Sequence, residues 1–70
     1  MVVARFEQFE VWRLNGEKWE FAASFHEFDI ASDVARARGR GVRLMQVVYE
    51  NGRPVEQQVL FEMGATRERP

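Results

Sequence analysis

Apolar and polar residues alternate along most of this chain, and two Asn-Gly pairs punctuate the alternation. Asn15-Gly16 lies between residues 9–14 and 19–25, and Asn51-Gly52 between residues 42–49 and 55–61. Both residue types tolerate the positive φ of a tight hairpin turn, and the flanks are rich in Val, Phe and Trp. The pattern therefore predicts two β-hairpins. With two-residue loops, Trp12 faces Trp19, Val48 faces Val55 and Leu44 faces Val59. The Asn-Gly pairs stand 36 positions apart, and Phe25 and Phe61 correspond, so the hairpins echo one another.

Between them the period changes. Ile30, Ala31, Val34, Ala35 and Arg38 recur at helical spacing, which predicts a short helix over residues 29–38 with a small-residue stripe toward the sheet. Asp29 is a suitable N-cap, Arg36 and Arg38 suit the negative end of the dipole, and Gly39 can close the helix. The predicted order is β-β-α-β-β: an α+β fold with a four-stranded, mainly antiparallel sheet and one helix on one face. Strand orders 2-1-3-4 and 1-2-4-3 both satisfy it.

Strand side chains alternate between faces, so this register sorts them. Trp12, Leu14, Trp19, Phe21, Ala23, Phe25, Val42, Leu44, Val48, Val55, Val59 and Phe61 fall under Ile30, Val34 and Ala35, with Glu10, Gln46 and Gln57 on the same side. Phe9, Val11, Met45, Val47, Tyr49 and Leu60 fall on the side the helix cannot reach. A solvated sheet face should read polar at these positions. Six sizeable apolar groups there point to a contact surface, most economically for a second copy in a two-fold homodimer, or else for a larger protein.

Length sharpens this expectation. Seventy residues make one small domain, expected at 6–63 between an N-terminal extension (1–5) and a C-terminal tail (64–70). A core of this size is marginal, and with no cysteine there is no disulfide or thiolate metal site to reinforce it. A tightly packed core or a partner subunit are the remaining routes to stability. No apolar run is long enough for a membrane span, and residues 1–10 lack a signal-peptide pattern, so a cytoplasmic setting is expected.

The net charge of −1 conceals an asymmetry. Residues 1–30 carry six acids and three bases, whereas residues 31–53 carry two acids and five arginines. Arg36, Arg38, Arg40 and Arg43 form a cluster that can grip phosphates, which makes nucleic acid the alternative partner. Phe9 and Tyr49 would then stack on bases. The aromatic signature of sheet-based RNA binders is missing, however, as is a Gly-x-x-Gly loop.

Catalysis has little footing. His26 is the one histidine, with Ser24, Glu27 and Asp29 nearby, but so compact a segment does not provide the pocket and oxyanion site that a triad needs. His26, Glu27, Asp29 and Asp33 make a poor zinc set. Gly39-Arg40-Gly41 follows a helix and lacks the end of a phosphate loop. The sequence predicts no enzyme, cofactor, metal or small-molecule substrate.

Overall fold

A computed structural model describes residues 4–63, so the expected tail at 64–70 and the first three residues of the expected extension lie outside the described residues. Strands β1 (Arg5–Asn15) and β2 (Lys18–Phe25) form the first hairpin, helix α1 (Phe28–Arg38) follows, and β3 (Val42–Glu50) and β4 (Arg53–Met63) form the second. The strands make one antiparallel sheet in the order β2-β1-β3-β4, which is the α+β arrangement expected. The helical crossover carries the chain past β1, so β3 adds to the free side of β1.

The two Asn-Gly pairs turn differently. Asn51 and Gly52 have φ of 51° and 83°, the sign pattern of a type I′ turn, and Glu50 pairs with Arg53 across them. In the first hairpin Asn15 is still in the ladder opposite Lys18, so the turn falls on Gly16-Glu17, where Gly16 alone has positive φ. Trp12 therefore faces Phe21 and Leu14 faces Trp19, which corrects the Trp12–Trp19 pairing. Charge explains the choice. A loop at Asn15-Gly16 would set Arg13 opposite Lys18, and like charges directly opposite destabilise a sheet. The observed register sets Arg13 opposite Glu20, 3.4 Å away, and lets Asn15 Nδ2 donate to Glu20 at 3.1 Å.

Three bulges divide the faces. Ala22 in β2, and Val55 and Leu60 in β4, are each skipped by the ladder, and a bulge reverses the side to which later residues point. The ladder between β1 and β3 is uninterrupted from Arg5–Glu50 to Arg13–Val42. Phe9 and Val11 thus join Val42 and Leu44 against Ala31 and Ala35 of α1, with Ala22, Phe25, Val34, Leu60, Phe61 and Met63 packed around them.

This core corrects the expected one. Phe9 and Val11 lie beneath the helix, whereas Trp12, Leu14, Trp19 and Phe21 share the opposite side. The reason is Glu10. It has the same parity as Trp12 and Leu14 at the middle of β1, so burying that side under an apolar helix would bury a carboxylate among alanines. Phe9 and Val11 carry no such cost. Leu60 is also displaced from its expected place, because its bulge lets it pack against the core. Val55 and Val59 are 46% and 44% exposed and do not belong to the core cluster.

The helix is one residue longer at its start than expected. Its N-cap is Glu27, whose side chain makes no capping bond, and Asp29 sits in the first turn instead. Ala31, Ser32 and Ala35 are its buried residues, and Ile30 is 47% exposed, so the buried stripe is rotated from the predicted one. Gly39 closes the helix at φ 81°, its N–H donating to Arg36 O at 3.1 Å.

Candidate docking face

Parity and the bulges place Phe6, Glu10, Trp12 and Leu14 of β1 on the helix-free side with Trp19 and Phe21 of β2. Arg43, Met45, Val47 and Tyr49 of β3 join them, with Gln57, Val59 and Glu62 of β4. Met45, Val47 and Tyr49 thus occupy the side expected of them. Phe6, Trp12, Trp19 and Phe21 also belong there, although the alternation, read with the side of Glu10 beneath the helix, assigns three of them to the core.

Glu10 is the centre of this face. It is only 6% exposed although no helix covers it. Its Oε1 accepts from Trp12 Nε1 at 3.0 Å, and its Oε2 accepts from the Tyr49 hydroxyl at 2.7 Å and from Gln8 Nε2 at 3.1 Å. Three donors converge on one carboxylate, so its charge is met within the sheet. The Tyr49 proton is held above its ordinary pKa of 10.0, first by the hydrogen bond to Glu10, then by burial and by the carboxylate's charge.

Aromatic pairs flank the carboxylate. Phe6 stacks on Tyr49 with ring centroids 5.2 Å apart, and Trp12 meets Phe21 edge to face at 5.7 Å. Arg43 lies 4.1 Å over the Trp19 ring while its Nη2 contacts Glu62 at 2.8 Å. Phe6 and Phe21 remain 45% and 52% exposed, while Val47 is almost wholly covered by its neighbours at 2%. The face is therefore apolar and aromatic, and its charges are already engaged.

The uncovered end of the helix side differs. Around an open concavity of about 750 Å3, Arg5 contacts Glu56 at 3.7 Å, and Gln46 Nε2 donates to Glu7. Its lining is dominated by charged and amide groups, which water can satisfy.

The arginines do not form one patch. Arg43 opens on the helix-free side, engaged as described. Arg36 donates from Nε to the Ser32 hydroxyl at 3.2 Å and sits 5.3 Å over Phe61. Arg38 and Arg40 are exposed and make no ion pair or side-chain hydrogen bond among the described residues. The helix ends between them, so Arg36 and Arg40 are not one turn apart on a common helix.

Ser24 is exposed opposite Glu10 on β1, while the His26 ring meets the Phe6 ring at 6.4 Å. No hydrogen bond joins Ser24 to His26 among the described residues. Nor do three His, Asp or Glu side chains gather there as metal ligands would. Among the described residues no helix is long and apolar enough to cross a membrane. Comparison with protein-family models, curated proteins and solved structures finds no match to this chain.

Proposed function

We propose that this chain is a non-catalytic assembly module that docks through its helix-free sheet face, and that the occupant of the face is a second copy of itself. The observation carrying this reading is an aromatic face whose charges are paired within it: Glu10 by three donors and Arg43 by Glu62 and Trp19. Such a surface gains by losing water and offers a polyanion no free cation. Four strands of about nine residues present roughly 600 Å2 in projection, and side-chain relief brings this near the ~800 Å2 per partner of a standard interface.

The edges favour the same route. Bulges at Ala22, Val55 and Leu60 interrupt both outer strands, and Pro54 stands near the start of β4. These are devices that discourage edge-to-edge pairing.

Light scattering after gel filtration should give about twice the 8.2 kDa of the chain. Phe21→Glu should return it to one chain mass with an unchanged far-ultraviolet spectrum, because Phe21 is half exposed in the single chain. Val47 is a poorer probe, being buried within its own sheet. A wild-type protein of single-chain mass at high micromolar concentration would refute the reading. The exposed Arg38 and Arg40 favour nucleic acid as the second reading. Low-salt binding to DNA or RNA that is lost in Arg38→Ala and Arg40→Ala would select it.

A further inference from the structure

Both Asn-Gly pairs carry the atoms of a reaction that assembly does not use. The amide nitrogen of a glycine can attack the side-chain Cγ of the asparagine before it, because no glycine side chain blocks the approach. The N–Cγ bond forms, the Cγ–Nδ2 bond breaks, and ammonia leaves with the proton given up by the glycine nitrogen. Water then opens the five-membered imide. Breaking its N–Cγ bond gives aspartate, and breaking its backbone C–N bond gives isoaspartate; nothing is oxidised or reduced. Neither Gly16 nor Gly52 donates its N–H to a backbone carbonyl among the described residues. Both positions are also open, with nothing within 4 Å of an added Cβ. The glycines therefore do not distinguish the two sites.

The asparagines differ in how firmly they are held. Ring closure requires the Asn-Gly peptide to swing until its nitrogen meets Cγ, so it is slowed by whatever fixes the asparagine. Asn51 is fixed from the side by the start of β1. Its N–H donates to Ala4 O at 2.7 Å, and its Oδ1 accepts from Ala4 N at 3.3 Å. Asn15 has no such neighbour. It lies beyond the last pair of β1 with β3, Arg13–Val42, and beyond the Leu14 N–H bond to Gly41 O. It is exposed at the end of a two-stranded ribbon, held by its pairing with Lys18 and by its Nδ2 bond to Glu20. Such an end opens locally more readily than a strand with neighbours on both sides. We propose that Asn15 is a site of spontaneous deamidation and that the fold protects Asn51. An aspartate at position 15 loses the bond to Glu20 and brings a like charge against it. Isoaspartate lengthens β1 by one backbone atom beside the Leu14–Trp19 pair. Either product loosens the first hairpin at its turn.

Trypsin cuts after Arg13, Lys18 and Arg43, so the two sites fall on separate peptides. The whole chain is held for days at mildly alkaline pH, folded or in urea, and then digested. Mass spectrometry reads each conversion as the small mass gain of exchanging an amide NH2 for OH, and chromatography separates isoaspartate from aspartate. Dividing each rate by that of the same site in urea removes the influence of the neighbouring residues. Folding should slow Asn51 far more than Asn15, leaving the corrected rate at Asn15 several-fold the higher. Equal corrected rates, or a higher one at Asn51, would overturn the proposal. So would an Asn15 that stays intact in the folded chain after it has fully converted in urea.

Discussion

Glu10 decides more about this protein than any other residue. Its position fixes which side of β1 faces the helix, and its carboxylate ties Gln8, Trp12 and Tyr49 into one network. Glu10→Ala would leave three donors without their acceptor, at a cost of about 2–3 kcal/mol in urea unfolding. Glu10→Gln should cost less than half as much, since the amide keeps one acceptor and Tyr49 can rotate to accept. Tyr49 is the chain's one tyrosine, so its ionisation can be followed by tyrosinate absorbance alone. It should ionise at higher pH in the folded protein than in urea, and Glu10→Gln should lower that pH. The linkage sign follows. A folded pKa raised above 10.0 contributes stability that is intact below pH 10 and lost as pH rises through the folded value. Stability should therefore fall on the alkaline side, and Tyr49→Phe should abolish that slope. Ionisation at the ordinary value would contradict the Tyr49–Glu10 bond.

At the scale of elements, the alternation made both hairpins and the helix legible, and Asn51-Gly52 gave its turn correctly. What it could not show was which residues the ladder skips. Ala22, Val55 and Leu60 are ordinary strand residues in sequence, yet each reverses the faces beyond it, because bulge placement answers to cross-strand packing. The Arg13–Lys18 clash was readable in advance and would have shifted the first turn by one residue. The carboxylate at the middle of Trp12's side was the signal that Phe9 and Val11 face inward. Asp29 is the better capping residue by type, yet the chain enters the helix at Glu27 without a side-chain cap. Glu27→Ser should therefore stabilise the protein by about 0.5–1 kcal/mol, measured as a higher urea midpoint. No gain would mean that the helix start is already satisfied by water.

At the scale of the whole molecule, one helix covers part of one side, and the described core is correspondingly small: six buried apolar residues in one cluster. Phe6, Trp12, Leu14, Trp19, Phe21, Met45, Tyr49 and Val59 lie on the open side. If a second copy covers them, folding and assembly are linked, and the melting temperature should rise with protein concentration. Phe21→Glu should abolish that dependence. A melting temperature that is the same from about 5 to 500 μM would argue against assembly.

The uninterrupted ladder between β1 and β3 has a consequence for how the chain reaches this state. It is the most regular pairing in the sheet, yet it joins residues 29 to 45 positions apart. Each hairpin closes locally and early, but neither is stable alone. The entropy of closing the long crossover must be met before the central ladder can repay it. The central ladder should therefore be the last pairing to form, with the helix settling over the seam. Both halves should then appear and disappear together.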